Sequence, residues 1–137
     1  QVKSVIIPTD TVYDINAGEA HYFVALATTE GLPEDKILGE LYALNQKEFP
    51  QAQLKANIFS YNTSLSVIRV RTFDYRQTAE IYIQLMTEPG NLLDNYSSFI
   101  KHHFIITQTN LFRLMKSNDL QGYLDFYNER YLNIIKQ

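Results

Sequence analysis

Leu54-Lys55-Ala56-Asn57-Ile58-Phe59-Ser60-Tyr61-Asn62-Thr63-Ser64-Leu65-Ser66-Val67-Ile68-Arg69-Val70-Arg71-Thr72-Phe73 is the stretch on which the fold turns. Leu54, Ala56 and Ile58 recur at every second position, the period of a strand with one buried face. Tyr61-Asn62-Thr63-Ser64 is turn chemistry, because Asn and Ser side chains bond nearby backbone and Asn tolerates unusual φ. Leu65 to Phe73 is rich in β-branched residues and makes the returning arm. Residues 53–59 and 65–73 are therefore predicted to be two arms of a hairpin.

Reading outward on the N-terminal side, His21-Tyr22-Phe23-Val24-Ala25-Leu26-Ala27-Thr28 is a continuous apolar run. It is too short for a typical helix and is closed by Gly31-Leu32-Pro33, so residues 21–29 are predicted to be a central strand. Pro33 suits the first helical position, with Glu34 and Asp35 in the first turn. Ile37, Leu41, Leu44 and Phe49 approximate helical spacing over 33–48, and Pro50 ends it. Earlier still, Val5-Ile6-Ile7 is a short strand-like run cut by Pro8, followed by the turn residues Thr9-Asp10-Thr11.

On the C-terminal side, Asp74 with Gln77 reads as a capping box opening a helix over 75–87. Ala79, Tyr82, Ile83 and Met86 are its stripe, and Pro89-Gly90 stops it. Residues 99–107 are predicted to be the last strand. A helical pattern runs from Thr109, and a second capping box, Asn118 with Gln121, marks a break near Asp119. Leu120, Leu124, Tyr127, Tyr131 and Ile134 keep helical spacing to the end.

The expected fold is α+β: a ferredoxin-like β-α-β-β-α-β antiparallel sheet in the order 4-1-3-2, with C-terminal helices appended. The helices 33–48 and 75–87 are expected on one face of the sheet. Residues 1–18 are expected to be a lead-in segment or linker, and 19–137 a single domain.

Composition bounds the function classes. The chain has 137 residues, 45% hydrophobic, with no cysteine and a formal net charge of −3. That describes a globular chain, not a charged disordered tail or a disulfide-stapled miniprotein. The absence of cysteine removes thiol catalysis and thiolate metal sites. The charge argues against bulk attraction to nucleic acid. Ten Tyr and eight Phe call for a large core or an adhesive surface. No stretch has the ~20 apolar residues needed to cross a bilayer. No basic segment precedes an apolar run at the start, so no signal peptide is expected. The chain begins at Gln1, which suggests a piece of a longer product.

No catalytic constellation emerges. His102 and His103 are adjacent on a strand, so their side chains point to opposite faces and cannot share one ion. His21 stands on another strand. Glu34, Asp35, Asp125 and Glu129 read as helix-end or solvated carboxylates, and no spacing forces two of them to face each other. There is no nucleophile elbow, phosphate loop or dinucleotide fingerprint. The expectation is no enzyme, no metal and no cofactor. Asn62-Thr63-Ser64 and Asn95-Tyr96-Ser97 match the glycosylation pattern, and both read equally as turns.

The face of the sheet away from the helices is more informative. Ile68 and Val70 alternate with Arg69 and Arg71, and Ile100, His102, Phe104 and Ile106 alternate with Lys101, His103 and Ile105. Placing the apolar sets against the helices leaves Arg69, Arg71, Lys101 and His103 on the other face, with Phe23 or Tyr22 between the two cationic strands. That face is either a solvated surface or a cationic site for an acidic protein partner. The appended helices covering it is a further possibility. RNA-binding modules use the same face, but their third-strand aromatic signature is absent from Ser66 to Arg71. The aromatic last helix has two readings: Tyr123, Phe126, Tyr127 and Tyr131 cover the sheet, or Tyr123, Phe126 and Arg130, which lie off its main stripe, form an aromatic-plus-Arg composition typical of interface hot spots.

An ordered series of motifs adds a resemblance. His21-Tyr22-Phe23-Val24 leads to Leu41-x-x-Leu44-Asn45 and Phe49. Ile68-Arg69-Val70-Arg71-Thr72-Phe73 precedes Ala79 and Tyr82. Phe104-Ile105-Ile106-Thr107 precedes Asn110-Leu111-Phe112, and Tyr123-Leu124-x-Phe126-Tyr127-x-x-x-Tyr131 closes the series. Over residues 21–131 this order resembles the C-terminal domain of the tetratricopeptide-repeat lipoproteins of Bacteroidetes, the PorW/SprE family. The resemblance implies a component of the type IX secretion system and of gliding motility. It implies lipid anchoring in the periplasm at the outer membrane, through a segment upstream of this chain, and action through contacts with other secretion-machinery proteins. It carries over no catalytic residue. A ferredoxin-like regulatory domain for a small ligand is the alternative, with Thr28-Thr29-Glu30-Gly31 as its candidate loop.

Overall fold

The structure, a computed structural model of the chain, describes residues 12–16 and 18–132. The strand-like run Val5-Ile6-Ile7 and the helical position Ile134 lie outside the described residues. The chain groups into two compact units, residues 18–106 and residues 1–17 with 107–137.

The first unit is α+β and is built on a four-stranded antiparallel sheet. Its strands are β1 (His21–Thr28), β2 (Lys55–Ser60), β3 (Leu65–Phe73) and β4 (Ile100–Thr107). They lie in the order β2-β3-β1-β4; counted from the β4 edge this reads β4-β1-β3-β2. The hairpin is closed by Asn62, whose Oδ1 accepts the Ser64 and Leu65 N–H groups at 2.9 and 2.8 Å. That bonding sets the register: Lys55 faces Arg71, Asn57 faces Arg69 and Phe59 faces Val67. On the other side of β3, Val24 faces Arg69 and Phe23 faces Val70, with a register irregularity between His21 and Phe23.

Helices α1 (Glu34–Glu48) and α2 (Arg76–Met86) cover one face. Each buries residues three to four apart: Ile37, Leu41 and Asn45 on α1, and Ala79, Tyr82 and Met86 on α2. The Tyr82 ring packs on Phe23, Phe49 and Phe73 at centroid distances of 5.5, 5.5 and 4.9 Å. Its hydroxyl donates to Asn45 Oδ1 at 2.6 Å. Asn45 thus takes the inward position expected of Leu44, because a buried tyrosine hydroxyl needs an acceptor. A four-residue helix, α3 (Leu92–Asn95), follows α2. Gly90 before it has φ 86, as Gly31 has φ 75 after β1; both turns use conformations that side chains disfavour.

The expected capping box at Asp74 and Gln77 does not form. Tyr75 is the N-cap of α2 and no side chain bonds there.

The second unit comprises, among the described residues, the segment 12–16, α4 (Gln108–Ser117), α5 (Leu120–Tyr127) and a π-helical turn, Asn128–Leu132. Thr107 caps α4 by accepting the Asn110 N–H at 3.2 Å. The expected box at Asn118 and Gln121 is displaced by one residue. Asn118 ends α4 in the left-handed region with φ 58, and the Asp119 carboxylate accepts the Gly122 N–H at 3.0 Å. The segment expected to be a lead-in is tied to these helices. Asn110 Nδ2 donates to the Asp14 carbonyl at 2.8 Å, and its Oδ1 accepts the Asp14 N–H at 3.2 Å. Tyr13 Oη donates to the Asp119 carbonyl at 3.0 Å.

Candidate protein-docking site

Strand pairing decides which side chains share the sheet face away from α1 and α2. Residues directly opposite each other point the same way. Asn57, Arg69 and Val24 form one row of that face, and Phe59, Val67 and Leu26 the next. The Thr28 N–H bonds to the Phe99 carbonyl at 2.9 Å. Carried along the antiparallel ladder, this sets His103 opposite Val24 and Lys101 opposite Leu26. Arg69, Arg71, Lys101 and His103 therefore share one face.

They do not form one continuous patch. Val24 and Leu26 stand between the two pairs and are fully buried, as is Val67. With strands spaced by about 4.8 Å, Arg69 and His103 are separated by two spacings, roughly 10 Å. The aromatic between the cationic strands is Tyr22, not Phe23, since Phe23 points to the helices and packs on Tyr82. Tyr22 sits at one end of the strip only. The face is thus not the plain solvated surface that strand alternation suggested.

Arg69 is the centre of the arrangement. Its guanidinium lies 4.9 Å from the Phe59 ring centroid and 5.3 Å from that of Tyr22. Asn57 Oδ1 accepts its Nε–H at 3.1 Å. Two aromatic rings and one amide hold a side chain that otherwise samples many rotamers, which lowers the entropy it loses on binding. Burial, and then the charge of Arg71, bring the Arg69 guanidinium below its ordinary value; an arginine so placed remains a cation. Arg71 and Lys55 face each other across β2 and β3, both exposed. Among the described residues no carboxylate pairs with either; like charges side by side cost energy, and an anionic partner relieves that cost.

His103 is exposed, but crowding of its ring and the neighbouring His102 hold it below the usual histidine value. At neutral pH it supplies a hydrogen-bonding ring in place of a charge. His102 faces the helix side by alternation. Among the described residues no three His, Asp or Glu side chains stand close enough to share a metal ion.

The aromatic site expected on the last helix is overturned in part. Tyr123 is fully buried. Its ring packs edge-on against Tyr13 at 5.1 Å and beside Phe126 and Tyr127 at 5.6 and 6.1 Å. The inward stripe is Tyr123, Tyr127 and Tyr131, four residues apart, because Leu120 and Leu124 are only half-buried. Phe126 is half-buried and the exposed Arg130 lies 5.7 Å from its centroid. Of the three residues, only Phe126 and Arg130 keep exposed surface.

Sequence reasoning missed the roles of Asn57, Phe59 and Lys55. The turn at Asn62 fixes the hairpin register, and counting back from it would have placed all three beside Arg69 and Arg71. Open grooves also mark the surface of this unit. One, of about 380 Å³, lies between α1 and the Gly90–Asn95 segment. Another, of about 680 Å³, lies between α1 and the start of β2. Neither is lined by the Thr28–Gly31 loop. Among the described residues no helix is long and apolar enough to cross a membrane. Comparisons with protein-family models, with curated proteins and with solved structures gave no match.

Proposed function

We propose that this chain is a non-enzymatic protein-interaction domain with a ferredoxin-like β-α-β-β-α-β arrangement, and that it docks acidic partner surfaces. The observation that carries the reading is Arg69, held by Tyr22, Phe59 and Asn57 beside the exposed Arg71 and Lys55. A preformed guanidinium supports bidentate carboxylate contact, and Arg flanked by aromatic surface is a composition favoured in interface centres. The ordered motif series supports placing the domain at the C-terminal end of a periplasmic, outer-membrane-anchored lipoprotein serving type IX secretion and gliding motility. Its partners are then other proteins of that machinery. The alternative is a regulatory domain for a small ligand, with Thr28–Gly31 as its candidate loop.

The test is the double substitution Arg69→Glu, Arg71→Glu in the full-length lipoprotein, read by co-purification with the secretion machinery. Recovery is expected to fall about tenfold, equivalent to ~1.4 kcal/mol. Undiminished recovery with an unchanged melting temperature refutes the docking reading.

A further inference from the structure

The edge of β2 offers a docking geometry distinct from the face of the sheet. β2 is the outermost strand on its side. The Tyr61 N–H bonds to the Leu65 carbonyl at 2.9 Å, which fixes the phase of the hairpin ladder. Lys55, Asn57 and Phe59 turn their backbone groups inward to β3, and Ala56, Ile58 and Ser60 turn theirs outward. Among the described residues nothing bonds those outward groups. No residue of β2 is buried, although Ile58 and Phe59 are large and apolar. An open edge of this kind is a template for a further strand, and natural proteins ordinarily blunt such edges with charge, proline or a covering element. Here the one charged residue is Lys55, at the end of the strand.

The two sides of this edge differ in chemistry. On the helix side lies the groove of about 680 Å³, where Leu38, Leu54, Ala56 and Tyr42, which is 66% exposed, are interleaved with Asn45, Gln46, Gln53 and the stem of Lys55. On the other side, Lys55 stands beside Arg71, with Arg69 beyond. An added strand sends alternate side chains to opposite faces. One set meets the apolar side chains Leu38, Tyr42, Leu54 and Ala56 of a mixed groove, and the other meets cations.

We propose that β2 accepts an extended segment of a partner protein as a fifth strand, one whose side chains alternate apolar and acidic. The apolar residues enter the groove beside Tyr42, and the acidic residues face Lys55 and Arg71. Backbone bonds to Ala56, Ile58 and Ser60 supply affinity, and the alternation supplies selection. A second copy of this chain is a poor occupant, because pairing β2 with β2 brings a second Lys55, Arg69 and Arg71 to a face that already holds the same three cations. The inference rests on the interaction reading above and deepens it by naming how the partner binds.

The probe is a synthetic extended peptide of alternating valine and glutamate, titrated into the whole chain by calorimetry and by amide exchange. Binding is expected to slow exchange at Ala56, Ile58 and Ser60 in particular. Ile58→Pro removes one outward donor without touching the inward ladder, and is expected to weaken binding about tenfold. Should that variant unfold, two peptide isomers N-methylated on alternate amides give the same information. One isomer must lose affinity and the other keep it. Lys55→Glu with Arg71→Glu is expected to transfer preference to a valine–lysine peptide. Equal binding of both methylated isomers, absent protection on β2, or a dimer in sedimentation abolished by Ile58→Pro would each overturn the proposal. If the peptide fails while the Arg69→Glu, Arg71→Glu lipoprotein still loses its partner, the edge inference falls and the docking reading stands.

Discussion

His21 shows how much a single side chain is decided by its surroundings. It opens β1 with its ring fully buried, and Nδ1 donates to the Glu19 carbonyl at 3.0 Å. Burial, aided by the charge of Arg76, holds it below the ordinary histidine value of 6.5, while the Glu19 carbonyl and the charges of Glu19 and Glu80 oppose the shift. The sign of the pH effect follows. The unfolded chain takes up a proton as pH falls through about 6.5, and the folded chain resists it. Stability is therefore full above that value, falls as pH drops through it, and levels off below the folded value. Urea unfolding between about pH 7.5 and 5.5 is expected to show this loss, and His21→Gln to show less of it, with His103 leaving a smaller slope of the same sign. An identical slope in the variant would mean that His21 takes its proton without leaving the core. None of this was legible in the sequence, where His21 read as one member of an apolar run and as a histidine too far from His102 and His103 to share an ion. The same limit applied to Arg69: its alternation with Val70 was plain, but its partners Tyr22, Phe59 and Asn57 come from two other strands. Cross-strand neighbours depend on register, which composition does not display.

Elements were more legible than their ends. Helices expected over 33–48 and 75–87 run from Glu34 to Glu48 and from Arg76 to Met86, because apolar spacing reports a face directly. Of the two capping boxes, the one at Asp74 does not form, and the one at Asn118 is displaced, because an Asx side chain can either cap the next helix or end the previous one in the left-handed region. Asn118 does the second, which leaves the capping to Asp119. The arrangement gives an unusual sign at Gly122. Glycine inside a helix normally costs up to about 1 kcal/mol against alanine. Here a Cβ on Gly122 would overlap the Asp119 carboxylate that caps the helix. Asp119→Ala is expected to cost ~1 kcal/mol. Gly122→Ala is expected to lower the melting temperature, and in the Asp119→Ala background to raise it. A rise in both backgrounds would show that the cap contributes nothing to stability.

At the scale of the whole molecule, β1 carries the main departure from expectation. The hairpin, the central place of β1 and the α+β class follow from strand runs bounded by turns. A sheet covered on one face alone should alternate buried and exposed residues along each strand. β1 instead buries His21 to Ala27 without interruption. Phe23, Ala25 and Ala27 lie on the helix side, and Val24 and Leu26 lie on the side expected to be solvated. The uninterrupted apolar run was visible in the sequence, yet Arg69, Arg71, Lys101 and His103 drew attention to the polar margins of that face. The two views make opposite predictions for one substitution. On a solvated face, Leu26→Ala would change stability by no more than about 0.5 kcal/mol. On a buried face it removes a packed side chain and leaves a cavity, a loss of about 2–5 kcal/mol. Leu26 is fully buried, so the larger loss is expected in chemical unfolding of the whole chain. Arg71→Ala, exposed on the same face, should stay within about 0.5 kcal/mol. Equal and small effects at both positions would restore the one-sided sheet and widen the docking face to its full breadth. A large loss at Leu26 alone confines that face to its margin, where Arg69, Arg71 and Lys55 stand beside the open edge of β2.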